Sequence, residues 1–138
     1  MPSVLLVEPD AALAEEIRGA FVPAGFTVTA ATQGEEAVER CRTSPPDLIL
    51  LAAELPDMSG FSVCNRLKRT LPAVPLLLYT GEATETAVEA HRATRTHADA
   101  YLRKPFVLAD LLGRAAELLQ EAPAAPPPPA PPTPRGPD

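Results

Sequence analysis

Charged and hydroxyl side chains stand at the ends of several short apolar runs of this sequence. Glu8, Thr80 and Lys104 each occupy such a position. In α/β proteins, the loops that follow the strands usually hold the residues that bind or transform a ligand. Another apolar run ends instead at Ala52, whose methyl group offers none of that chemistry. The pattern therefore predicts a site at these strand ends in which one position is inert.

The spacing of apolar residues predicts the elements that position these side chains. Continuous short apolar runs are typical of parallel strands that are buried on both faces. Five strands are predicted, at residues 4–7, 26–30, 48–51, 76–79 and 98–102. Helices are predicted between Asp10 and Pro23, at residues 34–43, 61–71 and 83–95, and from Leu108 to Leu119. This alternation predicts an α/β fold of the doubly wound (βα)5 type, with a five-stranded parallel sheet covered on both faces.

Composition limits the class of protein. A chain of 138 residues suits one domain with a real core. The net charge of −6 argues against non-specific binding to nucleic acid and against attraction to an anionic membrane surface. Cys41 and Cys64 have no metal-ligand spacing, which favours reduced, part-buried thiols. With no apolar run of membrane-spanning length, a cytoplasmic protein is expected.

A change in composition near residue 121 predicts a domain boundary. Residues 122–138 read APAAPPPPAPPTPRGPD, in which the prolines lack amide donors and have fixed φ angles. We expect residues 1–121 to form the domain and residues 122–138 to form a proline-rich, disordered tail or linker. The PPPPAPP segment also supplies the PxxP spacing that proline-recognising grooves use.

Four segments resemble, in their order and spacing, the motifs of CheY-like response-regulator receiver domains. These segments are VLLVEPD, PDLILLAAELPDMSG, PLLLYTG and ADAYLRKPF. The resemblance covers about residues 3–120 and implies the flavodoxin/CheY-like form of the predicted fold. A narrower resemblance links the stretch HRATRTHADAYLRKPF, together with Ala52 and an acid at position 54, to receivers of bacterial gliding-motility proteins.

The resemblance implies a phosphoryl-accepting site from which two residues are missing. In the family, an Asp at the end of strand 3 is phosphorylated by a histidine kinase, and acidic residues hold a magnesium ion beside it. The acceptor position is Ala52 here, and Pro9 stands where the family has its second acid after strand 1. A methyl group can neither attack phosphorus nor bind a metal. We therefore predict a pseudo-receiver that is not an enzyme, uses no metal or cofactor, and signals by binding proteins in a two-component or motility pathway.

The remaining residues define the predicted degenerate pocket: Glu8, Pro9, Asp10, Ala52, Glu54, Thr80, Lys104 and Pro105. Without an acceptor carboxylate, the Lys104 ammonium lacks its usual partner, and a buried unpaired ammonium is unfavourable. One hypothesis is that Glu54 or Glu8 pairs with Lys104 and fixes the pocket in one state. The alternative is that Glu54 faces solvent and Lys104 finds backbone carbonyls. The resemblance also implies a cis peptide bond between Lys104 and Pro105.

Two other functions stay open on the sequence. Glu54 or Asp57 could act as a displaced phosphoacceptor, although Asp57 is a normal residue for its turn and Glu54 would lie off the in-line position. The pocket between Thr80 and Lys104 could instead hold a small molecule or an anion, as a sensor.

The resemblance implies that protein partners bind the surface of helix 4, strand 5 and helix 5, with a homodimer as one option. From the net charge we expect no role for nucleic acid or membrane. On this face we place Ala87, His91, Tyr101, Arg103, Phe106 and Asp110. Tyr101 matches the family's switch aromatic, which moves between exposed and inward positions. His91 and His97 have no companion ligand at useful spacing, so solvated or capping roles are expected.

Overall fold

The computed structural model describes residues 2–121, in which five strands alternate with five helices. The strands are β1 (Ser3–Val7), β2 (Thr27–Ala31), β3 (Leu48–Ala52), β4 (Leu76–Thr80) and β5 (Ala100–Arg103). The helices are α1 (Ala11–Phe21), α2 (Gly34–Thr43), α3 (Gly60–Thr70), α4 (Glu85–Arg92) and α5 (Leu108–Glu121). The proline-rich segment 122–138 predicted as a tail lies outside the described residues.

All strands are parallel and lie in the order β2-β1-β3-β4-β5. The predicted flavodoxin/CheY-like (βα)5 fold is confirmed. Strand order reverses at β1, because the chain passes from β1 to β2 on one side and later returns to β3 on the other. Ligands of such sheets bind at this reversal, beside the carboxyl ends of the strands.

The sheet is buried between two layers of helices. One apolar cluster joins β1, β3 and β4 to α1 and α5, with Ile17, Phe21 and Leu111 fully buried. The second cluster joins the opposite face to α2 and α3, through residues such as Val63 and Leu67. Burial on both faces accounts for the unbroken apolar runs of β3 and β4.

Element boundaries differ from the predicted ones mainly around α4 and β5. The predicted helix 83–95 is only Glu85–Arg92, because the Thr84 side chain accepts from the Ala87 amide at its start and the Thr94 hydroxyl bonds the His91 carbonyl at its end. The predicted strand 98–102 begins two residues later, at Ala100. In residues 2–121, no helix has both the length and the apolar character needed to cross a membrane.

Candidate functional site

Parallel strands bring the predicted pocket residues to one edge of the sheet. Glu8 follows β1, and its amide donates to the Ala31 carbonyl of β2 at 2.9 Å. Lys104 follows β5, and its amide donates to the Thr80 carbonyl at the end of β4 at 2.8 Å. Ala52 ends β3, which lies between β1 and β4. The residues predicted from the strand ends therefore meet at the strand-order reversal.

The loop after β3 packs tightly against Ala52. The Gly60 amide donates to the Ala53 carbonyl at 2.7 Å, which returns the chain to the end of the strand. A Cβ atom added at Gly60 would lie 2.2 Å from the Ala52 carbonyl oxygen, so only glycine fits at this first residue of α3. Ala52 and Ala53 are both buried, at 2% and 5% exposure. The methyl group of Ala52 thus faces protein interior.

Tyr79, which we did not single out from the sequence, occupies the centre of this pocket. It is fully buried on β4, in register with Ala52 of β3. Its hydroxyl donates to the Glu8 carboxylate at 2.6 Å. The Phe106 ring packs edge-on against it, with centroids 5.5 Å apart. Burial, reinforced by the neighbouring Glu8 carboxylate, raises the pKa of Tyr79 well above its usual value, so the hydroxyl stays protonated.

Both carboxylate oxygens of Glu8 are engaged. One accepts from Tyr79, and the other accepts from the Asp10 amide at 2.9 Å. Glu8 is 3% exposed, and a buried carboxylate requires such hydrogen bonds. Asp10 turns away to cap α1, where its side chain accepts from the Ala12 amide at 2.9 Å. Pro9 lies between these two acids and supplies no side-chain ligand.

Glu54 reaches into the pocket and bonds Thr80. The Thr80 hydroxyl donates to Glu54 at 2.5 Å, and the Gly81 amide donates to the other carboxylate oxygen at 3.3 Å. The Thr80 oxygen in turn accepts from the Ala83 amide at 2.9 Å. The alternative in which Glu54 faces solvent is wrong, because its carboxylate holds the end of β4.

The hypothesis that Lys104 forms an ion pair with Glu54 or Glu8 is also wrong. Both carboxylates are committed to other donors, and neither forms a salt bridge with Lys104 in the described part of the chain. The ammonium instead lies over the Tyr79 ring, 5.6 Å from its centroid. Such a position is favourable because the face of an aromatic ring is electron-rich. The peptide bond from Lys104 to Pro105 is cis, as the resemblance implied.

The donors at this edge do not fit the magnesium ion that the fold family implies. A hard cation needs several free oxygen ligands. Position 52 offers a methyl group, position 9 a proline, and Glu8 is hydrogen-bonded through both oxygens. Across residues 2–121, no cluster of three or more His, Cys, Asp or Glu side chains could hold a metal ion.

Asp57 has a structural task at the start of α2. Its two carboxylate oxygens accept from the Gly34 amide at 2.8 Å and the Glu35 amide at 3.0 Å. These bonds lower the pKa of Asp57. Gln33, the residue before α2, makes no side-chain capping bond, so Asp57 supplies that cap from the β3–α3 loop.

His91 is buried, and the solvated or capping role expected for it is wrong. It is 7% exposed, and one ring nitrogen bonds the Tyr101 hydroxyl at 2.6 Å while the other bonds Asn65 Oδ1 at 2.9 Å. Burial lowers the pKa of His91. Because Asn65 Oδ1 only accepts, the neutral imidazole donates to Asn65 and accepts from Tyr101. His97 is exposed and bonds the Ala98 carbonyl at 2.7 Å.

Tyr101 is half-buried, and its hydroxyl is held by His91 of α4. Its oxygen also accepts from the Ala98 amide at 3.0 Å, and the Arg92 guanidinium lies 4.7 Å from its ring centroid. Sequence reasoning could not foresee the set, because Asn65, His91 and Tyr101 lie on three different elements.

The other residues predicted on the α4–β5–α5 face divide into exposed and inward groups. Ala87, Arg103 and Asp110 are exposed. Arg103 donates to the Ala83 carbonyl at 2.8 Å, which ties β5 to the segment before α4. Phe106 turns partly inward to meet Tyr79, so only part of its surface is open to a partner.

Comparisons with known proteins agree with this architecture. Residues 4–116 match the family model described as the response regulator receiver domain. The response regulator MprA of Mycobacterium ulcerans is 35% identical over 117 residues, which are 85% of this chain and 50% of that protein. MprA of Mycobacterium leprae is 34% identical over the same length and shares. The chain thus spans about half the length of these curated relatives.

Solved structures give the same result. A CheY-like response regulator receiver domain protein from Methanospirillum hungatei superposes with a TM-score of 0.83 at 25% identity, covering 88% of this chain and 96% of the other. The receiver domain of the Francisella response regulator 1452 gives 0.79 at 25% identity, with coverages of 87% and 98%.

Proposed function

Because this chain belongs to the response regulator receiver domain family, we propose that it is a receiver that signals without aspartyl phosphorylation, as a protein-interaction module. The observation that carries the proposal is the composition of the pocket. The position that should hold the acceptor carboxylate is Ala52, and the adjacent acid Glu8 is bound by Tyr79. A phosphoryl group has no nucleophile to join and no free metal-binding acid beside it.

Internal hydrogen bonds take the place of ligand contacts in this pocket. Thr80, whose family counterpart helps to stabilise the phosphoryl group, donates to Glu54. The Gly81 amide makes a second bond to the same carboxylate. These contacts need no added ligand, which supports a pocket that holds one state permanently.

The surface proposed to bind partners is the α4–β5–α5 face. Ala87, Arg103 and Asp110 present exposed side chains there. Tyr101 is fixed between α4 and the sheet by His91 and Ala98, so the face has a defined shape without a phosphoryl trigger. A protein partner, or a second copy of this domain, is proposed to recognise that shape.

The displaced-acceptor alternative receives little support from the hydrogen bonds. The Glu54 carboxylate is occupied by Thr80 and Gly81, and the Asp57 carboxylate caps α2. Phosphorylation of either side chain would break these contacts.

A second candidate function has one specific observation in its favour. An open groove of about 440 Å³, lined by Leu13, Gly81, Lys104, Pro105 and Phe106, borders the pocket. Its one cationic lining residue, Lys104, forms no salt bridge with the nearby acids in residues 2–121, so the groove could accept an anion. A rise in melting temperature with sulfate or phosphate, abolished by Lys104→Met, would favour this sensor function.

The experiment that tests the proposed function is done in the cell, with the complete natural protein. It compares the effect of a substitution on the proposed face with that of a substitution in the pocket. Ala87→Arg places a long cation on the proposed face, and Ala12→Arg places the same change at an exposed position of α1. We expect the Ala87 variant to reproduce the phenotype of the gene deletion. The Ala12 control and the pocket variant Glu54→Gln should retain function. A pocket variant that abolishes function while the Ala87 variant is normal would contradict the proposal.

A further inference from the structure

We propose that Tyr79 fills the place of the missing acceptor side chain, and that it keeps the pocket closed to a metal ion independently of Ala52 and Pro9. This inference rests on the proposed function, and it adds Tyr79 to Ala52 and Pro9 as a third residue that prevents metal binding. It makes Tyr79 a residue that determines what the pocket can bind, although its sequence context is that of an ordinary strand aromatic.

Register places the Tyr79 side chain beside the Ala52 methyl group. The two residues are partners across β3 and β4, and partners in neighbouring strands project from the same face of a sheet. Both belong to the apolar cluster between the sheet and helices α1 and α5. The only side-chain atom that Ala52 contributes to this face is one methyl carbon, which leaves room for a large neighbour.

The hydrogen bond to Glu8 shows that the ring uses this room. Glu8 follows β1, and β3 lies between β1 and β4. Since adjacent strands are about 4.8 Å apart, the Tyr79 and Glu8 side chains must together span about 10 Å. They meet at 2.6 Å, so the contact passes over the end of β3, where Ala52 stands. A longer side chain at position 52 would compete with the ring for that space.

The Tyr79 ring also occupies neighbouring groups that would otherwise be free to bind a ligand. Its hydroxyl occupies one oxygen of Glu8, the acid that would approach a metal ion. Its face lies under the Lys104 ammonium, and its edge meets Phe106. Returning carboxylates to positions 9 and 52 would therefore leave the pocket blocked while Tyr79 remains.

The test measures Mg²⁺ binding by the shifts of backbone amide NMR signals during a titration with magnesium chloride. The reference protein carries Pro9→Asp and Ala52→Asp, which supply both missing acids. We expect no saturable binding at millimolar Mg²⁺ in this double variant. Adding Tyr79→Val should produce saturable binding at millimolar Mg²⁺, with an affinity at least an order of magnitude higher than that of the double variant. Adding Leu77→Ala instead, a truncation at a fully buried site on the same face of β4, should produce none.

Each other outcome overturns the inference. The inference is overturned if the double variant binds Mg²⁺ by itself. It is also overturned if the Leu77 control binds as well as the Tyr79 variant, or if a folded Tyr79 variant fails to bind. If the double variant is unfolded by circular dichroism, adding Tyr79→Val must restore folding, and failure to restore it counts against the inference too. None of these outcomes bears on phosphorylation of the natural chain, whose appearance would refute the proposed function instead.

Discussion

At the level of single residues, the buried hydrogen bond from Tyr79 to Glu8 makes a direct energetic prediction. Tyr79→Phe keeps the ring and deletes the donor, leaving a carboxylate oxygen buried without its partner. An unsatisfied buried polar group costs about 1–3 kcal/mol, so the free energy of unfolding should fall by about that amount. Thr43→Val is the control and should cost less, because it deletes an exposed hydroxyl whose bonds to the Glu39 and Arg40 carbonyls water can replace. Urea denaturation of the two variants gives the comparison, and an equal or smaller loss for the Tyr79 variant would contradict the pairing.

The raised pKa of Tyr79 adds a pH dependence of definite sign. In the unfolded chain tyrosine ionises near pH 10.0, whereas the buried hydroxyl keeps its proton to higher pH. The folded state then binds more protons than the unfolded state, so stability falls as pH rises above 10.0. Tyr79→Phe should make this alkaline loss smaller.

Glu54 makes a second prediction at the residue scale. Glu54→Ala removes the acceptor used by the Thr80 hydroxyl and the Gly81 amide. The NMR signals of these two residues should shift, while the Lys104 ammonium signal should stay close to its original position. Glu82→Ala, at the exposed neighbour of Gly81, is the control. A shift confined to Lys104 would instead favour an ion pair between Glu54 and Lys104.

At the level of elements, the turn from β3 into α3 depends on the absence of a side chain at Gly60. A Cβ atom there would lie 2.2 Å from the Ala52 carbonyl oxygen and 2.5 Å from the Ala53 Cα atom. Since overpacking costs about 1–3 kcal/mol, Gly60→Ala should lower the free energy of unfolding by that order. Gly19→Ala on α1 meets no atom within 4 Å and should instead stabilise the protein, by about 0.5–1 kcal/mol. Equal effects of the two substitutions in thermal denaturation would refute this account of the turn.

The contact of α4 with β5 should respond to acid through His91. Its pKa is lowered from 6.5, chiefly by burial, so the folded state resists the proton that the unfolded chain accepts. Stability from this site is complete above pH 6.5 and is lost as pH falls below that value. Protonation would also place a second donor against the Tyr101 hydroxyl.

An NMR titration of the imidazole signals should therefore give His91 a pKa below 6.5, and the Tyr101 signals should change with it. His91→Gln should remove this part of the acid sensitivity. A measured value at or above 6.5 would contradict the buried, neutral contact.

At the level of the whole molecule, the sequence was sufficient for the fold because the three central strands of this sheet, β1, β3 and β4, are buried on both faces. Apolar runs such as Leu48–Leu51 and Leu76–Tyr79 therefore stand out against the amphipathic helices. The residue that ends β3 was also readable, since the prediction of an inert position there depends on the identity of one residue, Ala52, within a recognisable segment.

The hydrogen bonds inside the pocket could not be predicted from the sequence, because their partners lie far apart along the chain. The reach of Tyr79 to Glu8 spans 71 residues of sequence and depends on β3 lying between the two strands. The partner of Glu54 was mistaken because Thr80 and Lys104 are both within the predicted pocket, and only the geometry chooses between them. His91 sits in a polar helix, and its burial depends on α3, where the Phe61 ring packs on the imidazole and Asn65 bonds one ring nitrogen.

The central claim is that this receiver cannot accept a phosphoryl group, and one measurement tests it most directly. The protein is incubated with acetyl phosphate and Mg²⁺ beside a receiver domain that retains the acceptor Asp, and both are examined by intact mass spectrometry. We predict that the control gains one phosphoryl group and that this chain keeps its original mass. A gain of one phosphoryl group by this chain, lost on Glu54→Gln or on Asp57→Asn, would contradict the claim and identify the displaced acceptor.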